Sequence, residues 1–343
     1  MKKKWKILIP CIAVLLVFCL AVGFLGKLFE PKYVAEQKEG GMIRDYYKET
    51  GSHDILFVGD CEVYENFVPA VLYEEYGITS YIRGSAQQLV WQSYYLLEEM
   101  LKKETPKAVV FNVLALKYGE PQNEAYNRMT LDGMKFSLSK WNAIRASMTK
   151  EESFASYLLP LLRFHDRWKE LTEEDFAYLF SQPTVSYQGY LLQTEVKGGV
   201  SDREGVPLTD YTLPASSMAY LEKMRALCEE KGVELILIKA PTNNWKYWWY
   251  DEWDAQVKDY AEAHGLSYYN FIPLCGEIGI DWNTDTYDKG VHLNVYGAEK
   301  LTSYFGKILT ETRSFVDHRE EPEAAALWDT YLENYYLAKG DSK

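Results

Sequence analysis

Five short strand-like stretches constrain this 343-residue chain more than any other feature: residues 54–58, 78–82, 108–113, 233–239 and 266–270. The third, Ala108 to Val113, is apolar at nearly every position, as a strand buried on both faces of a parallel sheet requires. Helical patterns lie between the runs. Residues 69–76 end at Gly77, 216–231 at Gly232 and 250–264 at Gly265, each glycine marking a helix C-terminus. Residues 89–103 repeat Leu89, Tyr94, Leu97 and Leu101 at helical spacing and stop before Pro106. A last helix is expected over 295–312. This alternation predicts a parallel sheet covered on both faces, joined by right-handed crossovers. It is interrupted once, over about residues 115–215. Helical patterns at 140–148, 151–162 and 172–180 (Thr172 as N-cap), an extended stretch at 185–196 and a loop at 198–209 make this an insertion capping the strand ends.

The N-terminus is of another kind. Residues 1–6 carry Lys2, Lys3, Lys4 and Lys6, and residues 7–26 then run without a charge. At about 1.5 Å per residue, that run matches the roughly 30 Å hydrocarbon core of a bilayer. The flanking lysines predict a single-pass cell-membrane anchor with a cytoplasmic tip and everything beyond Lys27 outside. The alternative is a cleaved signal peptide, with Ala21 and Gly23 before the cut. Residues 27–52 read as a stalk with one short helix, 53–312 as the main domain, and 313–343 as a tail whose residues 321–338 form one more helix, packed or free.

The net charge of −13 argues against nucleic acid and against a body held flat on anionic lipid by charge. Tyrosines number 28 and tryptophans 10, which excludes a disordered chain. Two of the five cysteines, Cys11 and Cys19, fall in the apolar N-terminal run, and the other three make no disulfide framework. No Cys-x-x-Cys or His-Glu-x-x-His spacing occurs, so neither a zinc site nor a cofactor is expected.

The chemistry concentrates at two places. The first run ends in Gly59-Asp60-Cys61-Glu62, a tight turn that presents a nucleophile at the C-terminal edge of the sheet, where ligands bind in open α/β folds. The bland reading of Cys61 is a small buried residue. Far along the chain, Asp285-Thr286-Tyr287-Asp288-Lys289-Gly290-Val291-His292 sets a histidine beside carboxylates. A nucleophile and a histidine distant in sequence still meet in space. Asp288 is the preferred partner to fix the imidazole tautomer, with Asp285 the runner-up. Glu62 is a neighbour expected to raise the Cys61 pKa. His53 and His318 read as surface residues, and His264 as support for a helix C-terminus.

These motifs resemble the SGNH/GDSL hydrolases, which are esterases and acyl-transfer enzymes. They are more similar still to the membrane-anchored branch that includes the teichoic-acid D-alanyl-transfer protein and alginate O-acetylation proteins. The matching residues are Gly59-Asp60-Cys61 after the first strand, Gly84 after the second, Asn112 near the end of the third, and His292 before the last helix. The resemblance covers residues 50–115 and 232–310. Cys61 stands where the family has Ser, and Asp288 precedes His292 by four residues where the family spacing is three. The resemblance implies a flavodoxin-like three-layer α/β/α sandwich with a five-stranded parallel sheet in the order 2-1-3-4-5. It implies catalysis by Cys61, His292 and Asp288, with an oxyanion hole from the Cys61 and Gly84 N–H groups and the Asn112 amide. Asp60, Gln87 and Lys239 at the same edge, and Arg163 and His165 in the insertion, are the expected substrate contacts. The implied activity is O-acyl ester hydrolysis or acyl transfer on a cell-envelope glycopolymer, with a multi-pass membrane O-acyltransferase as partner. The alternative is a degenerate member that binds glycan or scaffolds an envelope-modification complex.

Overall fold

The computed structural model describes residues 2–31, 40–200, 205–243 and 249–340, with side chains from residue 8 onward. Parts of the expected basic tip, stalk, loop and tail lie outside the described residues. Helix α1 (Lys2–Phe29) contains a segment, Leu8–Phe29, long and apolar enough to cross a membrane. Short helix α2 (Gly41–Asp45) follows, within the expected stalk. It packs into the domain, burying Met42, Ile43 and Tyr46, so residues 40–52 are not a free tether.

The sheet is built from β1 (Ile55–Gly59), β2 (Ser80–Gly84), β3 (Ala108–Asn112), β4 (Glu234–Lys239) and β5 (Ser267–Asn270). The strands are all parallel, in the order β2-β1-β3-β4-β5. Alternate residues of each strand face opposite cores. Ile55 and Phe57 of β1 join Val110, Ile236 and Ile238 beneath α4 (Pro69–Tyr76) and the C-terminal helix Val295–Thr312. Leu56 and Val58 join Val109, Phe111 and Leu237 beneath α5 (Val90–Lys103), α11 (Ala215–Lys231) and α12 (Asp251–His264). Each such side chain, fully removed from water, contributes about 1.5–3 kcal/mol, which is why continuous apolar runs became central strands.

The insertion holds α6 (Glu124–Leu131), α7 (Leu138–Ser147), α8 (Phe154–Leu158), α9 (Leu161–Phe164) and α10 (Glu173–Tyr178). Its small core joins Leu131, Ala143, Ile144 and Tyr157 to Ile43 and Leu96. The helix expected over 151–162 is split between α8 and α9, with Pro160 between them. Thr172 caps α10 in a reciprocal arrangement with Asp175. Residues 185–196 form no strand; a tight turn with a single bridge between Tyr187 and Tyr190 lies against the outer edge of β2, where Ile82 N–H donates to Gln188 O (3.0 Å). Helix α13 (Cys275–Ile278) precedes the histidine loop, α14 is the C-terminal helix of the sandwich (Val295–Thr312), and α15 (Pro322–Lys339) is the tail. The tail helix is packed: Trp328 stacks on Tyr73 of α4 (4.9 Å) and Tyr335 is buried.

Candidate active site

β1 ends at Gly59, and Asp60 turns the chain into α3 (Cys61–Tyr64), with its carboxylate accepting the Glu62 N–H (3.2 Å). Cys61 therefore opens a short helix at the C-terminal edge of the sheet. The loop before α14 brings His292 to it across 231 positions of sequence, with Nε2 3.1 Å from Cys61 Sγ. On the other side of the ring, Nδ1 lies 2.7 Å from Asp288 Oδ2. The extra residue in the Asp-to-His spacing is absorbed locally. Lys289 and Gly290 both take left-handed backbone conformations (φ 64° and 84°), and Asp288 Oδ1 accepts the Val291 and His292 N–H groups. Thr286 Oγ1 completes the loop, accepting from Gly290 N–H (2.8 Å) and donating to His292 O (2.7 Å). Asp285 points elsewhere, to Lys300 (2.6 Å) and the Asp281 N–H (2.8 Å).

Three residues to which the motifs assign no role stand around this pair. Glu65, one helical turn after Cys61, places Oε2 3.5 Å from His292 Nδ1. Tyr287 donates to that same oxygen (2.7 Å) and lies parallel to the imidazole, with 6.1 Å between ring centroids. The i,i+4 spacing from Cys61 was the available signal for Glu65. A third, Lys117, ends the 3₁₀ turn Val113–Lys117 after β3; burial lowers its pKa to about 8, against the pull of Glu62, Asp60 and Cys61.

The electrostatics favour protons on the pair. Burial pushes the Cys61 thiol up to about 11, helped by Asp60 and Glu65 and opposed by His292. Glu62 is not among the principal causes at Cys61; its carboxylate is bonded by Lys239 instead. Burial alone would lower His292, but Cys61, Glu65 and Asp288 carry it well above its ordinary value. Asp288 is held below the usual carboxylate range by the imidazole despite burial. Glu65 is raised, chiefly by burial. Burial thus holds the thiol up while the anionic groups around it hold the imidazole up, so each favours the protonated form of its own group.

Cys61 and His292 line a cavity of about 270 Å³ together with Asp60, Gln87, Tyr118 and Tyr126. Tyr118 and Tyr126 come from the start of the insertion, which therefore walls the site. Several expected contacts lie outside this cavity. Lys239 is fully buried beneath the turn, bonded to both Glu62 oxygens (2.9 and 2.8 Å) and to Ala240 O (2.7 Å). Asn112 donates its two amide hydrogens to Asp60 Oδ1 (3.1 Å) and Glu62 Oε2 (3.0 Å), and accepts from Ala240 N–H (3.2 Å). In this arrangement it has no hydrogen left for an oxyanion. Gly84 pairs with Gly59 in the sheet, and a Cβ there would meet Gly59 O at 2.9 Å, so close packing of the turn explains this glycine. Arg163 is exposed and bonds Glu124 (3.0 Å), and His165 is exposed beside Asp166 (3.5 Å). Neither lines the cavity; the segment that carries them packs against α1.

His53 and His318 also differ from expectation. His53 is buried against Glu104 (3.0 Å), and His318 is half-buried between Asp54 (2.9 Å) and Glu321 (2.6 Å).

No family model and no curated protein matches the chain. Solved structures similar to it include a GDSL-like lipase from Bacteroides thetaiotaomicron VPI-5482, at 13% identity over 80% of this chain and 100% of that one, with a TM-score of 0.38. Another is a presumptive acylhydrolase from Bacteroides fragilis NCTC 9343, at 13% identity over 78% and 94%, with the same TM-score. The likeness is too distant to speak for activity. The fold assignment rests on the strand order itself.

Proposed function

We propose that this chain is a membrane-tethered SGNH/GDSL-like acyl hydrolase or acyltransferase that works through a thioester on Cys61. The observation that carries the reading is the continuous chain Cys61 Sγ, His292 Nε2, His292 Nδ1, Asp288 Oδ2, at 3.1 and 2.7 Å, opening into a cavity at the C-terminal edge of a parallel sheet. Neutral His292 takes the thiol proton as Sγ attacks an ester carbonyl. The tetrahedral adduct collapses, the C–O bond breaks, and His292 gives the proton to the departing alkoxide. Water or a sugar hydroxyl then attacks the thioester, losing its proton to His292, and the thiol is restored. Asp288 holds the ring and favours the imidazolium between the two proton transfers. The Cys61 N–H at the start of α3 supplies the oxyanion donor in this reading, as the motif resemblance implies. The substrate we favour is an O-acylated cell-envelope glycopolymer, reached from the outer face of the cell membrane, with a multi-pass O-acyltransferase as acyl source; the N-terminal segment and the motif resemblance support this.

A second reading, glycan binding or scaffolding without turnover, draws support from Asn112, whose amide is committed to Asp60 and Glu62. The test is intact mass after incubation with p-nitrophenyl acetate, for the full chain and for Cys61→Ser, Cys61→Ala and His292→Ala. An acetyl adduct on Cys61 that requires His292 is expected. No adduct on any variant would leave the binding reading.

A further inference from the structure

The apolar surface of α1 ends abruptly. Residues 8–25 are exposed apart from Val22, which is half-buried, whereas Gly26 and Leu28 are buried. Eighteen residues of helix span about 27 Å, close to the thickness of a bilayer core. If α1 crosses the membrane, the outer boundary lies near Leu25. What buries the last turn is the insertion: α9, the 3₁₀ turn His165–Lys169 and α10 all contact α1. Pro160 approaches Gly26, and the Arg167 guanidinium donates to Phe29 O (2.8 Å).

Those same elements and the residues flanking them carry large apolar side chains that nothing among the described residues covers. Phe180 is 88% exposed, Trp168 60%, Leu162 57%, Phe176 48% and Leu159 46%. Lys169 lies over the Trp168 ring at 5.3 Å, a pairing typical of the membrane–water interface. The segment also exposes Asp166 and Glu170, so charge does not draw it to an anionic surface.

We propose that residues 159–180 form an interfacial platform that seats in the outer leaflet beside the exit of α1, held there by apolar insertion. The occupant is lipid because the patch is continuous with the one segment, among the described residues, that is long and apolar enough to span a membrane. The platform is tied to the candidate site through α6. Glu124 bonds both Arg163 and Arg128, Arg128 lies over the Tyr157 and Phe164 rings, and Tyr126 of that helix lines the Cys61 cavity. Seating the platform therefore fixes the cavity wall relative to the membrane.

The experiment reconstitutes the full chain in phosphatidylcholine vesicles with p-benzoylphenylalanine replacing one residue at a time, followed by irradiation and mass analysis. Leu16→p-benzoylphenylalanine reports on the span, Phe180→p-benzoylphenylalanine on the platform, and Val206→p-benzoylphenylalanine is the exposed control. Phospholipid adducts at 16 and 180 but not at 206 are expected. Lipid at 16 without lipid at 180 overturns the platform and leaves the span standing. A crosslinked dimer at 180 overturns it in favour of self-association. No lipid at either 16 or 180 overturns the platform together with the anchor, leaving the chemistry of Cys61 untouched.

Discussion

Thiols that act as ready-made nucleophiles sit as thiolates at neutral pH, and Cys61 is placed to do the opposite. Burial, Asp60 and Glu65 push it up to about 11, and His292 only partly offsets them. At pH 8 a thiol of that pKa is ionised to about one part in a thousand, against roughly a quarter for an unperturbed thiol near 8.5. Alkylation by iodoacetamide, followed by mass spectrometry of the Cys61 peptide, should run about 200-fold slower than for a free thiol on this ground alone. The rate should climb about tenfold per pH unit to pH 10, as a thiolate-limited reaction does below its pKa. Asp60→Asn and Glu65→Gln each remove an anion that opposes the thiolate, so both should raise the rate at fixed pH; His292→Ala should lower it. Labelling at pH 6 as fast as that of glutathione, or a plateau reached below pH 8, would refute this account and mean that a thiolate–imidazolium pair is the resting state.

Three further outcomes follow from the same network. If Cys61 reacts with esters, kcat/KM should rise with pH with a midpoint above 6.5, because His292 is raised and must lose its proton to act as base; Glu65→Gln should move that midpoint down. Lys239→Met strands the buried Glu62 carboxylate, so urea unfolding should report a loss of about 3–5 kcal/mol, mostly recovered on adding Glu62→Gln. Gly84→Ala forces a Cβ to within 2.9 Å of Gly59 O, and thermal unfolding should show a cost of about 1–3 kcal/mol even though no catalytic side chain is touched.

Much of this protein follows from signals that act over a few residues. The five strands lie within a residue or two of the expected stretches; for the central ones, an apolar run buried on both faces has no other packing. Residues 69–76 and 295–312 form helices with the expected bounds, and Gly77, Gly232 and Gly265 close theirs, since capping is decided by the next one or two residues. The long uncharged N-terminal run and the nucleophile at the end of β1 are equally local.

Tertiary structure decided which polar groups share an environment. Asn112 and Lys239 look like site residues in the linear sequence because both end strands at the C-terminal edge of the sheet. Only the register of β1, β3 and β4 shows that they point beneath the turn, where Asp60 and Glu62 consume their hydrogen bonds. Arg163 and His165 lie outside the cavity, in a segment that packs against α1. The choice of Asp288 over Asp285 depended on two left-handed residues in the loop, and the second carboxylate, Glu65, became visible only when α3 and that loop met. Periodicity reports which face of an element is buried. Proton affinity depends on which charges the fold gathers around an atom, and those charges come from residues hundreds of positions apart.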